Sequence, residues 1–358
     1  MLAWAPITAP SEGYSLILGV NAPLAAMLPL QLRLLDQQRR DNLCLIHIVI
    51  DTPRPMLPGD IESRVRAQFT ELPMQFHYYS EPAWRKLRRI GWSKCYSWHS
   101  WSLGLSHVRS RYAMLHDYDA FTLHDDFLEQ RYKLIRESGA SFFGFQNRSY
   151  REWQTNRESD PTFAGTWEMM FDAALVREKL QPIDLFNRFV LRHGKLAMLD
   201  TFHDAQYRLG GVAQSQGTPY ELVHASQMIC QVTHLCQARS DRMRGPDNMN
   251  LLLVPYLLAA VDEDACLSDA TAALQAGRDV PLLGKFVNAE AVTRVRAEGL
   301  SNIIIQLERK LHGRTRPHVL AFIRALCDYA WQREGAPPPA IDGQELFHWK
   351  TVPPREAA

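Results

Sequence analysis

Asp117 and Asp119 stand two residues apart at the end of the apolar run Tyr112-Ala-Met-Leu-His116. In an extended backbone, residues two apart point to the same side, so both carboxylates converge at one edge of a strand. Two like charges that close repel unless a positive group lies between them. A hard divalent cation, Mg²⁺ or Mn²⁺, relieves the repulsion and keeps open positions for the oxygens of a substrate phosphate. The plainer reading is a strand end whose aspartates form a turn. Asp125 and Asp126 differ: they precede Phe127-Leu-Glu-Gln and place negative charge in a first helical turn.

Two further groups bear on phosphate. The cluster Trp84-Arg-Lys-Leu-Arg-Arg89 suits phosphate or anionic lipid, or else is a solvated helix face, and Lys94 just beyond it is a candidate diphosphate contact. Trp98 and Trp101 recur with Cys95 and Leu105 at helical spacing and read as core.

The elements that must position these groups alternate. Ser15–Val20 is a short apolar run, Leu24–Gln38 repeats leucine at helical spacing, and Leu43–Ile50 (LCLIHIVI) is a buried strand ending on the turn Asp51-Thr-Pro. Helix-like Ile61–Phe69, strand-like Gln75–Tyr79, one or two helices across Trp84–Val108 broken near Gly91, strand Arg111–His116, helix Asp125–Glu137 and strand Ser141–Gln146 continue the pattern. Such alternation predicts an α/β domain with a largely parallel sheet flanked by helices. The character changes near Gly245-Pro246. Residues 1–248 are expected to form the α/β domain and 249–345 a helical region in which strands disappear, with an extended tail over 346–358.

In 358 residues, 40 basic against 39 acidic side chains leave a formal charge of +1, which excludes a general attraction to nucleic acid. The N-terminus lacks the basic and apolar regions of an export signal, and no apolar run reaches the roughly 20 residues of a membrane span. Six scattered cysteines without a CxxC pair read as reduced thiols. A soluble cytoplasmic protein is the expectation.

A strand running into Asp-x-Asp inside an alternating α/β domain resembles the GT-A-fold glycosyltransferases, over roughly residues 14 to 240. In that family the motif holds the metal bound to a nucleotide diphosphate, so the resemblance implies Asp117 and Asp119 as metal ligands and a sugar transferred from a nucleotide-sugar donor to a saccharide or other hydroxyl acceptor. A UDP-sugar is the favoured donor, although no residue names the base. Asn21 follows the strand that resembles the family's first, and Asp51 ends the one that resembles its second, whose terminal acid often contacts the base.

The resemblance also implies a third metal ligand after the last sheet strand. Ser226–Val232 is apolar enough to be that strand and delivers His234; His224 is the rival. An imidazole in the set suits Mn²⁺ better than Mg²⁺. Inverting members carry a carboxylate base at the head of a helix of the form acid-x-x-x-Arg-Leu. Asp204 and Arg208 match, with Asp200 behind, but His203 replaces the family's Glu before the Asp. The stretch Phe163-Ala-Gly-Thr-Trp167 resembles the acceptor-side segment, where Trp167 offers a flat apolar face to a sugar ring.

Two other readings compete. A nucleotidyltransferase shares paired carboxylates, but its Gly-rich basic loop is missing from Asn21-Ala-Pro-Leu-Ala25. A silent scaffold that binds a protein is the second. The region from 249 offers an acceptor grip, a peripheral membrane contact or a homodimer face, and the sequence does not choose among them.

Overall fold

The computed structural model describes residues 2–57, 59–146, 163–192, 195–215, 221–237, 242–243, 246–260 and 265–347. The chain divides into two compact units, Met1–His224 and Ala225–Ala358. In chain order the first contains β1 (Ser11–Val20), α1 (Leu28–Asp36), β2 (Leu43–Ile50), α2 (Ile61–Gln68), β3 (Met74–Tyr78), α3 (Glu81–Ile90), α4 (Ser93–His107), β4 (Ser110–His116), β5 (Ala120–Thr122), α5 (Phe127–Ser138), β6 (Phe142–Phe145), β7 (Glu168–Asp172), α6 (Ala173–Lys179), β8 (Arg188–Arg192), β9 (Lys195–Leu199), α7 (His203–Leu209), β10 (Val212–Ser215) and β11 (Leu222–His224).

Seven of these strands form one sheet in the order β10-β6-β7-β4-β1-β2-β3. β1 pairs in parallel with β2 and β4, β2 with β3, and β6 with β10. Only β7 reverses, running antiparallel to both β4 and β6. The expected α/β class with a mostly parallel sheet is therefore the observed one. Parallel strands are covered on both faces, which is why β1 and β2 are near-continuous apolar runs rather than alternating ones.

Alternation along β1 shows which helix lies where. Ile17 faces α4, where a Cβ on Gly104 would come within 2.5 Å of its Cγ2, so only glycine permits that approach. Tyr14 faces the other way, its ring 5.3 Å from Tyr132 of α5 and its hydroxyl donating to Glu129 at 3.1 Å. Helices thus cover both faces. On the α4 side, Ile17, Trp101, Leu105, Leu115, Phe142, Phe171 and Phe202 share one core, and complete burial of each such side chain contributes about 1.5–3 kcal/mol. The break near Gly91 is a left-handed residue, φ 66°, that ends α3 before α4 begins.

The second unit holds α8 (Met228–Gln237), β12 (Arg242–Met243), α9 (Val254–Ala259), α10 (Ala265–Gln275), β13 (Val280–Leu282), β14 (Lys285–Val287), α11 (Arg294–His312) and α12 (Pro317–Arg333). Two expectations are corrected here. Ser226–Val232 is not a strand: Met228, Gln231, Val232 and Leu235 are buried at helical spacing along α8. Nor do strands vanish after Leu251, since β13 and β14 pair antiparallel there, with β12 on the other side of β14. β13 and β14 are joined by Leu283 and Gly284, both at positive φ (51° and 72°), the backbone of a tight two-residue hairpin. Three-residue strands are too short to show a period. Of the expected tail, 348–358 lie outside the described residues.

Candidate active site

β1 connects onward to β2 on one side, while β4 lies on its other side, so the chain changes direction between β1 and β4. Open α/β sheets bind ligands outside the carboxyl ends of strands at such a switch point. Asn21 follows β1, Asp51 follows β2 and Asp117 follows β4, so three of the residues singled out from sequence stand along this edge.

After β4 the chain turns through Asp117 and Asp119 into β5. β5 pairs antiparallel with β11, in a register that sets His224 opposite Ala120. Nε2 of His224 consequently lies 3.3 Å from Oδ1 of Asp119 and 3.7 Å from Oδ2 of Asp117. One ligand atom from each of the three falls within 4.8 Å of the others. Burial and then the neighbouring Asp119 charge push the Asp117 carboxyl up to about 7. Burial lowers the His224 pKa, but the hydrogen bond and charge of Asp119 and the charge of Asp117 outweigh it and the net shift is upward. The group thus favours positive charge at its centre. Two carboxylates and an imidazole on one small volume fit a divalent cation.

A buried layer fixes the turn. Gln31 of α1 is fully buried, and its Nε2 donates to the carbonyls of Tyr118 and Ala120 at 2.9 and 2.8 Å. Its Oε1 must then be the acceptor toward Nε2 of His116, 3.2 Å away, so that nitrogen carries a proton. Nδ1 of His116 meets Oε1 of Glu168, its cross-strand partner in β7. A second support is aromatic. Trp167 stacks on His224 and on Phe145, each at 4.9 Å between ring centroids, and the Arg131 guanidinium lies 4.0 Å over Phe145. The Trp167 carbonyl also accepts from the Asp117 N–H at 3.0 Å. Trp167 therefore braces the cluster through both its ring and its backbone.

Asp51 is buried, accepting from the Ala22 N–H at 2.7 Å and the Asn21 amide at 3.1 Å, and burial raises its pKa to about 6. These contacts close the turn after β1 onto the end of β2.

Lys94 Nζ lies 2.9 Å from both carboxylate oxygens of Asp200, which also accepts from Asn187 Nδ2 and the Thr201 N–H, each at 2.8 Å. Burial works against the Asp200 charge, but Lys94 and these donors hold its pKa below the usual carboxylate range. Asp204, on the first turn of α7, is buried beside Arg188 at 3.1 Å and Arg208 at 3.8 Å. Phe202, just before α7, adopts φ 67°, a left-handed value rare for a bulky residue. Gln206 ties α7 to Ala164 through both its amide nitrogen and oxygen, at 3.0 and 2.8 Å. The 163–168 segment therefore supports Asp204 on one side and the Asp117 turn on the other.

Within the first unit the structure joins His224 to the two aspartates; His234 is exposed on α8 of the second unit. Gln31, His116, Glu168 and Arg131 were not singled out for this role. Gln31 had a signal, an uncharged polar residue inside the leucine-rich stripe Leu28–Leu35.

No family model and no curated protein matches the sequence. Solved structures do. The mannosyltransferase PcManGT from Pyrobaculum calidifontis, in complex with GDP-Man and Mn²⁺, is 16% identical over 92% of this chain and 90% of its own, with a TM-score of 0.42. TarS 1-349 from S. aureus is 11% identical over 92% of this chain and 95% of its own, at 0.37. Core-mannan synthase A from Aspergillus fumigatus is 9% identical over 50% of this chain and 67% of its own, at 0.33. These are glycosyltransferases to which the chain is similar.

Proposed function

We propose that the first unit transfers a sugar from a nucleotide-diphosphate donor to a hydroxyl acceptor. The observation that carries this reading is the Asp117, Asp119 and His224 group beside the β1/β4 switch point. A divalent cation, Mn²⁺ or Mg²⁺, held by these three supplies positive charge beside a leaving diphosphate. Asn21 and Asp51 hold the nucleoside end of the donor, with Asp51 offering a buried carboxyl for a base or ribose donor group. Asp204 takes the proton of the acceptor hydroxyl as its oxygen bonds to the anomeric carbon, while the bond from that carbon to the diphosphate breaks and its electron pair leaves with the nucleoside diphosphate. Lys94 and Asp200 act as positioning residues, since each is already committed to the other. Gln31 and Trp167 keep the cation ligands in place.

A thermal-shift series with UDP, GDP and CMP, with and without Mn²⁺, tests the donor site. Ligand at 100 times its dissociation constant stabilises a folded protein by about 2.7 kcal/mol. Stabilisation by one nucleotide that requires Mn²⁺ and disappears in Asp119→Asn is expected. Absence of any shift removes the reading. Release of pyrophosphate rather than nucleoside diphosphate on turnover replaces it with nucleotidyl transfer.

A further inference from the structure

The first unit carries exposed apolar side chains to which the reaction assigns no role. On β8, Phe189 and Leu191 are two residues apart on one side of the strand and remain 63% and 75% exposed. Ile183, in the turn before β8, and Tyr207 of α7 are 61% and 63% exposed. Ile90 and Trp92 at the end of α3 are also exposed. These residues belong to adjoining segments. Trp92 meets Phe186 edge-on at 5.6 Å, the Trp98 indole donates to the Pro182 carbonyl, and Arg208 pairs with Asp184 at 2.6 Å. Singly exposed apolar side chains are ordinary, but a group of this size on neighbouring elements marks an interaction surface.

Its charge is one-sided. The chain as a whole is near neutral at +1, yet no Asp or Glu occurs between Glu81 and Asp117, nor between Asp184 and Asp200. The first interval contains Arg85, Lys86, Arg88 and Arg89 on α3, all exposed. The second contains Arg188, exposed on β8. Arg85 pairs with Glu81 and Arg188 with Asp204, so the charge that this surface offers outward comes from Lys86, Arg88 and Arg89, which are exposed on α3 next to Ile90 and Trp92. Exposed apolar side chains beside such a basic helix end suit a surface that is apolar inside and anionic at its face.

We propose that β8 and the end of α3 dock this protein on an anionic phospholipid bilayer. Phe189 and Leu191 enter the headgroup boundary, and Lys86, Arg88 and Arg89 of α3 meet lipid phosphates. The protein is held at the membrane surface without spanning it; no described helix is long and apolar enough to cross one. Docking in this way brings α7, with Asp204, close to the lipid plane. The proposal stands on surface chemistry alone and does not depend on the sugar-transfer reading.

Cosedimentation of the full chain with vesicles tests it. The probes are phosphatidylcholine alone and phosphatidylcholine with about one-third phosphatidylglycerol, at low and high salt. Binding to the anionic vesicles only, weakened by salt, is expected. Phe189→Ser with Leu191→Ser abolishes it, and Arg88→Gln with Arg89→Gln weakens partitioning by roughly fivefold per charge removed. Thermal midpoints like that of the parent protein show that both variants are folded. Absence of binding at low salt overturns the proposal, as does undiminished binding by both folded variants. A dimer that the Phe189→Ser, Leu191→Ser pair dissociates also overturns it, because the patch is then a protein interface.

Discussion

Lys94 Nζ stands 2.9 Å from both carboxylate oxygens of Asp200, a residue 106 positions further along the chain. The pairing separates two neighbouring acids by role. Asp200 is neutralised and held ionised, whereas Asp204 meets its guanidinium neighbours at longer range. Asp204→Asn is expected to lower kcat by about 10²–10⁴ while nucleotide binding and thermal midpoint stay close to the parent values. Asp200→Asn is expected to destabilise the fold by about 1 kcal/mol, because the ion pair is partly solvated. Steady-state kinetics and denaturant unfolding of the two variants separate the cases; the reverse pattern assigns the base to Asp200.

The two histidines that competed from sequence can be told apart in the same way. His224→Ala removes a ligand atom and the ring on which Trp167 stacks, and is expected to weaken Mn²⁺-dependent nucleotide binding at least tenfold. His234→Ala, on the exposed side of α8, leaves it unchanged. Titration calorimetry with Mn²⁺ and the stabilising nucleotide reads both, and equal losses would return His234 to the site.

Gln31 is a positioning residue whose loss reaches the site through backbone. Gln31→Leu keeps the apolar bulk of α1 but withdraws a donor from two buried carbonyls and an acceptor from His116. About 2–4 kcal/mol of stability should be lost, together with weaker cation binding. Urea unfolding measures the first and Mn²⁺ titration the second. A stable variant with normal Mn²⁺ affinity shows the turn to be fixed by other means.

Acid sensitivity follows from a histidine group away from the candidate site. His47 Nδ1 lies 3.1 Å from His77 Nε2, and His77 stacks on His107 at 4.1 Å. Burial, then their mutual repulsion, lowers His47 to about 3; burial and His107 lower His77 to about 4. His107, itself lowered by burial, has Arg109 and Arg177 as charged neighbours. Unfolded histidine titrates near 6.5. Above that pH both states are neutral and stability is unaffected; below it the unfolded chain takes up protons that the folded chain refuses. Stability should therefore fall from about pH 6 toward pH 4, by about 1.4 kcal/mol per unit for each of His47 and His77. His77→Gln should flatten the decline in thermal midpoint, and an unchanged slope rules the pair out as its source.

The parts of this protein that were legible from sequence are those where burial writes a long, one-period pattern. Leu43–Ile50 is covered on both faces and reads as a strand without ambiguity, as do the apolar residues leading to Asp117. The order of strand and helix up to Phe145 follows. What was not legible depends on pairing between distant segments. β5 and β11 are three residues each, too short for a period, yet their register chooses His224 as the aspartates' neighbour. Met228–Gln237 carries β-branched and apolar residues that suit either a strand or a helix, and only tertiary burial at helical spacing decides. The Lys94–Asp200 and His116–Glu168 pairs are invisible for the same reason: nothing local to either partner announces the other.

The β5–β11 ladder also imposes an order on synthesis. A nascent chain that has emerged through β10 already carries both aspartates, their Gln31 clamp and the strand bearing Glu168. It still lacks the imidazole, which arrives with the last residue of the first unit. Such a late, long-range pairing is slow to form compared with local contacts. A chain interrupted before Leu222 therefore presents a nearly finished sheet, and the group of Asp117, Asp119 and His224 closes only as the ribosome moves on to the second unit.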